Sequence, residues 1–320
     1  MRAQAKAHPN IALVKYWGKS DADRNLPAVG SQSITLDALW TTMDVNFSAQ
    51  VDADEITLNG ESQPGLLERV SACLDRLAGA DRPPASIASR CNFPVAAGLA
   101  SSASSFAALV VAASAALGQE HDRLTLSRMA GAASGSAARS LFGGFVELVA
   151  GRDDIDLKEL AGPEEWPLEV VVAVTAAGQK PISSGAAMQR SAETSPFYRR
   201  WVDDQPEDLN AGRAAILESD FAQLAAIAEH NCLKMHSVMW TSRPAVVYWN
   251  DVTLACMQAV RELRDQGVAV FFTIDAGPQV KAVCLPEFSD QVAARLAGVE
   301  GVIEVMRSGL GHGAEILSLE

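Results

Sequence analysis

Positive charge is scarce in this chain and nowhere concentrated. Twenty-six lysines and arginines stand against 39 aspartates and glutamates, a net charge of −13 at pH 7. No basic cluster offers a nucleic-acid-binding face, and no Lys-rich amphipathic stretch offers a membrane-surface helix. Acidity of this kind favours solubility and by itself identifies no partner. It does set a condition: an anionic ligand would have to be met by the few cations gathered at its site. Long apolar runs are absent too. No stretch of about 18 uninterrupted apolar residues marks a membrane span, and the start, MRAQAKAHPNIALVKYW, lacks the apolar segment of a secretory signal. A cytoplasmic location is the expectation. The five cysteines (Cys73, Cys91, Cys232, Cys256 and Cys284) never fall in a CxxC pair, which predicts free, mostly buried thiols. His230 and His236 are six apart, the wrong spacing for paired metal ligands on one helical face. The Walker pattern GxxxxGK[ST] is missing. Gly309, Gly311 and Gly313 have no helix pattern after them, which excludes a dinucleotide loop.

What is present is an ordinary globular composition: 320 residues, 48% hydrophobic and 20% charged. That length suits two domains or one large one. Short apolar or alternating runs at 11–14, 33–49, 86–95, 168–176, 268–274 and 280–285 read as strands. Asn59-Gly60 is a hairpin signal. Helical spacing appears at 66–79, 101–117, 206–239, 248–266 and 289–298, and a last short strand near 315–317. Strands mixed with helices in both halves predict an α+β protein. The charged, irregular segment 151–166 predicts a boundary, giving domains 1–165 and 166–320.

One stretch, PVAAGLASSASSFAAL at 94–109, joins a strand to a long apolar helix. Gly98 would let a ligand approach the backbone closely. The helix N-terminus favours an anion, and Ser101, Ser102, Ser104 and Ser105 offer hydroxyls to phosphate or to a bound Mg²⁺, for which Ser102 is the candidate. The same residues also suit a plain N-cap with small-residue packing. Asp275 ends the apolar strand VAVFFTI and precedes a turn, DAGPQ; it suits either a positioned general base or an Asp capping its own turn. Arg139 is the one cation in GAASGSAARSLFGG, fit for bidentate carboxylate binding or a surface ion pair. Lys15 and Lys19 flank Tyr16 after a buried strand. Because 26–68 holds no Lys or Arg, they are the natural phosphate ligands of that region, and Lys15 would also offset charge on a transferring phosphoryl group.

PVAAGLASSAS resembles the phosphate loop of the GHMP kinase superfamily, at Pro94, Gly98, Leu99 and the four serines. Within that superfamily, NIALVKYWGKSD, SGSAARSLFGGFVE, FTIDAGP and MQRSAETSPFY resemble segments of the diphosphomevalonate decarboxylases. They follow the family's order over about residues 8 to 280. The resemblance implies a two-domain GHMP kinase fold. Its N-terminal ATP-binding domain has a left-handed βαβ crossover, and its C-terminal domain is ferredoxin-like and carries the catalytic Asp. It implies ATP and Mg²⁺, a homodimer, and ATP-dependent decarboxylation of mevalonate 5-diphosphate to isopentenyl diphosphate. Asp275, Lys15 and Arg139 would be catalytic. Tyr16, Lys19, Ser134, Gly135, Ser136, Ser184 and Met188 would join Arg139 in holding substrate. The chain departs from the family pattern at Val29, Gly30, Glu61, Gly185 and Gln279, and Glu61 and Gly185 replace arginines found in some members. Those departures touch the diphosphate end. They keep open a sibling decarboxylase of mevalonate 5-monophosphate, a kinase that stops at phosphorylation, and a non-catalytic binding protein of the same fold.

Overall fold

The structure, a computed structural model, describes residues 1–48, 51–93, 101–178 and 180–320. Pro94, Gly98 and Leu99 of the expected phosphate loop lie outside the described residues.

Strict alternation builds the first sheet. Ala3, Ala5 and Ala7 are buried in Arg2–Ala7, and Met43, Val45 and Phe47 in Thr41–Phe47. These strands pair antiparallel, and Ala85–Cys91 follows antiparallel on Thr41–Phe47. Glu55–Leu58 then lies parallel to Ala85–Cys91. A parallel neighbour needs a crossover, and the helix Pro64–Ala78 supplies it. Asn59 and Gly60 take φ of 50° and 90°, the left-handed values of a tight hairpin turn. The far edge is Glu315–Leu319, antiparallel to Arg2–Ala7, so the chain's last strand joins the sheet of its first. Helix Ser101–Ala116 lies on this sheet and is buried nearly all round, as a helix without a polar face must be.

The second sheet runs Ile155–Ala161, Phe145–Ala150, Ser31–Thr35, Asn10–Val14, all antiparallel. Its first strand occupies a segment that the sequence marks as irregular. It is an edge strand with only Ile155 fully buried, so most of its side chains meet water and leave little alternation to read.

The third sheet has the order Val270–Thr273, Val280–Cys284, Glu169–Val174, Glu304–Ser308. Helix Asp251–Asp265 precedes its second strand in sequence, and Ser289–Ala297 joins the third to the fourth. This is the β-α-β-β-α-β pattern of a ferredoxin-like unit. Three further helices, Ser184–Thr194, Tyr198–Leu217 and Phe221–Trp240, are inserted after its first strand. The first of them occupies part of a segment expected to be a loop, and Pro206, expected near a helix start, sits inside the second.

A single hydrophobic cluster joins the second and third sheets: Ile11, Leu13, Ile34 and Phe145 on one side, Val170, Val172, Phe271 and Val283 on the other. It draws strand Asn10–Val14 against strand Val270–Thr273, where Thr273 Oγ1 donates to the Ala12 carbonyl at 3.3 Å. The residues that follow these two strands, Lys15 and Asp275, therefore meet. All five cysteines are free, four of them buried.

Candidate active site

Lys15 is 1% exposed, and its Nζ donates to Asp275 Oδ1 at 2.7 Å and to the Ala12 carbonyl at 2.8 Å. Its backbone is clamped from two helices. The Lys15 N–H donates to Asn231 Oδ1 at 2.7 Å, and its carbonyl accepts from Gln205 Nε2 at 2.7 Å. The helix that carries Asn231 also holds the backbone beside Asp275: the Ile274 N–H donates to Cys232 Sγ at 3.2 Å. Buried polar groups satisfied on every side fix a geometry, and here they fix the ammonium against the carboxylate. A second ammonium, that of the wholly buried Lys281, lies 3.3 Å from Asp275 Oδ2. Burial opposes the charged form of Asp275, but Lys15 and Lys281 outweigh it and hold the carboxyl well below the usual carboxylate range.

Asp275 and Lys15 open onto a cavity of about 820 Å³, within the range of small-molecule sites. Tyr16, Lys19, Ser101, Ser102, Ser105, Ser134, Gly135, Ser136, Arg139, Ser184 and Met188 line it as well. Residues expected at the site from stretches more than a hundred positions apart thus share one wall. Ser134 Oγ donates to Ser102 Oγ at 3.2 Å, which ties the Gly-Ser turn to the serine helix. Ser104 is different. It is wholly buried, with its hydroxyl 2.7 Å from Thr41 Oγ1. Ser101 and Ser105 are four apart and share a helical face; Ser104 turns to the sheet and serves packing, not the cavity.

Arg139 is 1% exposed, and its partners are neutral: Ser33 Oγ at 2.9 Å, Asn10 Oδ1 at 3.0 Å and Ser31 Oγ. Among the described residues no carboxylate lies within ion-pair distance of it. Burial lowers the guanidinium to about 10, still charged at neutral pH. Beside it the Tyr16 phenol, pushed up to about 12 by burial, stays a neutral donor. The Tyr16 hydroxyl is buried and has no hydrogen-bond partner among the described residues. A buried cation without an anion and a buried hydroxyl without a partner, both lining one cavity, are a ready receptor for a carboxylate.

A Cβ on Gly135 would stand 2.2 Å from the Tyr16 hydroxyl. Gly135→Ala is therefore expected to displace the phenol and raise the substrate KM by about tenfold or more, since misplacement by about an ångström is costly. Steady-state kinetics of the variant beside Tyr16→Phe checks this; an unchanged KM in both would remove the phenol from the site.

Three cations were not legible in the sequence as site residues. Lys281 sits within the apolar run VKAVCL. Lys180 precedes the Ser184 helix; its Nζ donates to Ser184 Oγ at 2.6 Å and to the Ala276 carbonyl at 3.0 Å, and it lines the cavity. Arg69, the first basic residue after the stretch without Lys or Arg, lines the cavity too, 4.9 Å over the Phe106 ring. Burial, and then the Arg69 charge, lower the Lys19 ammonium. Two departures from the family pattern also find their places. Gln279 is a clamp, its Oε1 accepting from the Thr175 N–H at 2.6 Å and its Nε2 donating to the Ala176 carbonyl at 2.8 Å. Glu61 is exposed in the hairpin.

Among the described residues no cluster of three or more His, Cys, Asp or Glu could cage a metal. The cavity offers two carboxylates, Asp23 and Asp275, and several hydroxyls. That donor set fits Mg²⁺ shared with phosphate oxygens, the usual way this hard, strongly hydrated ion is held.

Two family models match the chain. The diphosphomevalonate decarboxylase-like N-terminal domain covers residues 7–158, and the mevalonate 5-diphosphate decarboxylase C-terminal domain covers residues 170–306. The diphosphomevalonate decarboxylase of Candida albicans is 38% identical over 86% of this chain and 82% of its own length. The rat enzyme is 35% identical over 91% and 77%. Among solved structures, mevalonate diphosphate decarboxylase from Staphylococcus aureus superposes with a TM-score of 0.93 at 36% identity, covering 99% of this chain and 98% of that one. Another, solved in complex with MVAPP, AMPPCP and magnesium, gives 0.91 at 35% identity over 99% of each chain. The fold is the mixed α+β fold of the GHMP kinases, and the chain belongs to the diphosphomevalonate decarboxylase family.

Proposed function

We propose that this protein is an ATP-dependent decarboxylase that converts mevalonate 5-diphosphate to isopentenyl diphosphate. The observation that carries the reading is the shared cavity. An ionised Asp275 stands between two ammoniums, and the same cavity holds a buried Arg139 with no acidic partner among the described residues. Hydroxide is a poor leaving group from the tertiary carbon of a 3-hydroxy acid. Phosphorylation of that hydroxyl by ATP, with Mg²⁺ offsetting phosphate charge when bound, turns it into a good one. The C–O bond to phosphate and the C–C bond to the carboxylate then break, and the released electron pair forms the alkene.

The chain's own groups divide this work. Asp275 takes the hydroxyl proton. Lys15 holds that carboxylate and faces charge that develops on the transferred phosphoryl group. Arg139 and Tyr16 bind the substrate carboxylate. Ser134, Gly135, Ser136, Ser184 and Met188 shape the substrate pocket. Ser101, Ser102 and Ser105, with Pro94, Gly98 and Leu99 before them, receive the nucleotide phosphates, and Ser102 offers the hydroxyl for Mg²⁺. Lys19, supported by Arg69, receives the 5-diphosphate, which compensates for the uncharged Gly185 and the acidic Glu61. The division of labour follows a boundary near residue 165, with nucleotide groups before it and the acid after it. We assign the protein to the cytoplasm as a homodimer. Among the described residues no helix is long and apolar enough to cross a membrane.

Coupled assays with mevalonate 5-diphosphate and 5-monophosphate test the assignment. It predicts ADP and CO₂ from the diphosphate with the higher kcat/KM. Preference for the monophosphate would assign the sibling activity, and no ADP from either would leave a binding protein.

Lys180 makes the site sensitive to pH. Burial lowers its ammonium to about 8, against the pull of Asp275. A lysine is charged below its pKa and neutral above it, so an anion-binding role is lost as pH rises through about 8. The kcat/KM profile, which reports the free enzyme, should fall on its basic side there. In Lys180→Arg that limb should move beyond pH 9 or so, because guanidinium stays charged. Superimposed basic limbs would remove Lys180 from anion binding.

A further inference from the structure

Lys281 lies on strand Val280–Cys284, paired across the sheet with Thr273, two residues before Asp275. It is wholly buried, and its Nζ is 3.3 Å from Asp275 Oδ2. That oxygen has no solvent-accessible surface, yet the Asp275 side chain as a whole keeps a quarter of its own. The two carboxylate oxygens therefore have different surroundings. Oδ2 faces inward to Lys281, and the Oδ1 side, held by Lys15, is the side open to the cavity. Lys281 does not line that cavity, so any influence it has on substrate passes through Asp275.

We infer that Lys281 is a positioning residue for the reaction: from behind, it fixes the Asp275 carboxylate ionised and turned so that Oδ1 receives the substrate proton. The inference rests on Asp275 as the proton acceptor. A buried carboxylate with one ammonium would be neutral as an ion pair. A second ammonium makes the cluster net positive, and burying an extra cation is costly until an anion is bound beside it. Here the excess charge lies where an anionic substrate arrives. It also makes Asp275 a weak base, which suits a loose phosphoryl-transfer transition state in which the hydroxyl proton leaves late.

The other groups facing Asp275 do not supply the same effect. Lys15 approaches from the end of Asn10–Val14, on the cavity side. Lys180 reaches the neighbouring Ala276 carbonyl from the loop before Ser184. Arg139 stands on the turn Gly135–Leu141, in the same cavity. From helix Phe221–Trp240, Cys232 and His236 touch the Ile274 carbonyl. Burial holds His236 neutral, at about 3, and raises the Cys232 thiol, so neither changes charge across the working range.

The test is kcat and KM, with ATP and mevalonate 5-diphosphate, for the parent, Lys281→Met and Lys281→Arg. A positioning role predicts a fall in kcat of about tenfold or more in Lys281→Met with both KM values within a few-fold of the parent, and recovery of most of that fall in Lys281→Arg. Melting temperature and binding of a non-hydrolysable ATP analogue establish that each variant is folded. Where Met is not accommodated, Lys281→Gln is read in the same way. A kcat within a few-fold of the parent in Lys281→Met, or a fall that Lys281→Arg does not recover, would overturn the inference. Near-parent turnover in Asp275→Asn would instead overturn the base assignment beneath it.

Discussion

Asp275→Asn is expected to lower kcat by about 10²–10⁴-fold, the range for loss of a positioned general base, while affinity for a non-hydrolysable ATP analogue is kept or tightened. The amide has the size of the carboxylate and still accepts a hydrogen bond from Lys15, so the cavity keeps its shape. It cannot take a proton from the substrate hydroxyl. The charge balance also changes. Lys15 and Lys281 are 1% and 0% exposed and share Asp275 as their acidic partner. In the variant two buried ammoniums face a neutral amide, which destabilises the empty protein and strengthens its attraction for polyphosphate. The variant should melt lower than the parent and recover part of the difference when the analogue binds. Rapid-quench turnover, analogue titration and thermal melts on one preparation separate these effects. A kcat within a few-fold of the parent would remove Asp275 from the chemistry.

Arg139→Met should also lose catalysis, but with stability kept. Among the described residues the buried guanidinium hydrogen-bonds to neutral oxygens, so the empty protein carries a charge whose desolvation opposes folding. Methionine fills much of the same space without that cost, and the melting temperature should stay level or rise. When the substrate carboxylate is bound, the same guanidinium gains its counter-ion. Truncating one partner of such a pair costs about 2–5 kcal/mol, so kcat/KM should fall by roughly 30- to 5,000-fold. Lysine should not rescue it, because one ammonium does not reproduce a bidentate fork. A variant that loses stability and keeps kcat/KM would make Arg139 a structural residue.

How much of this was legible in the sequence depended on how local the signal was. Asp275 was legible because an apolar strand followed by Ala-Gly-Pro can only end in a turn, and a carboxylate placed there is anchored at its edge. Lys15, Tyr16 and Lys19 were legible through the absence of Lys and Arg from the stretch 26–68 that follows them. What Lys15 does was not. It read as a phosphate ligand, and it proves to hold Asp275 through strands 260 positions apart. Lys281 was hidden because a lysine in a strand of Val, Ala and Cys looks like an ordinary interruption, and only tertiary packing brings a carboxylate to it. Ser104 was misplaced for another reason. A helix of Ala, Ser and Val has no polar face, so periodicity could not say which serines meet the cavity and which meet the sheet. The edge strand Ile155–Ala161 was lost to its own charges. The overall class survived these errors because alternation in Thr41–Phe47 and the apolar runs at Glu169–Val174 and Val270–Thr273 are set by burial on sheets, and burial is what composition records most faithfully.

The most direct test of the whole account is a single-turnover experiment with protein in excess over carboxyl-labelled mevalonate 5-diphosphate, with ADP and labelled CO₂ followed in the same quenched samples. Phosphorylation at a cavity that also grips the carboxylate predicts one CO₂ for every ADP, with CO₂ never ahead of ADP. ADP that accumulates while the label stays in the organic acid would contradict it, and so would CO₂ released without ADP.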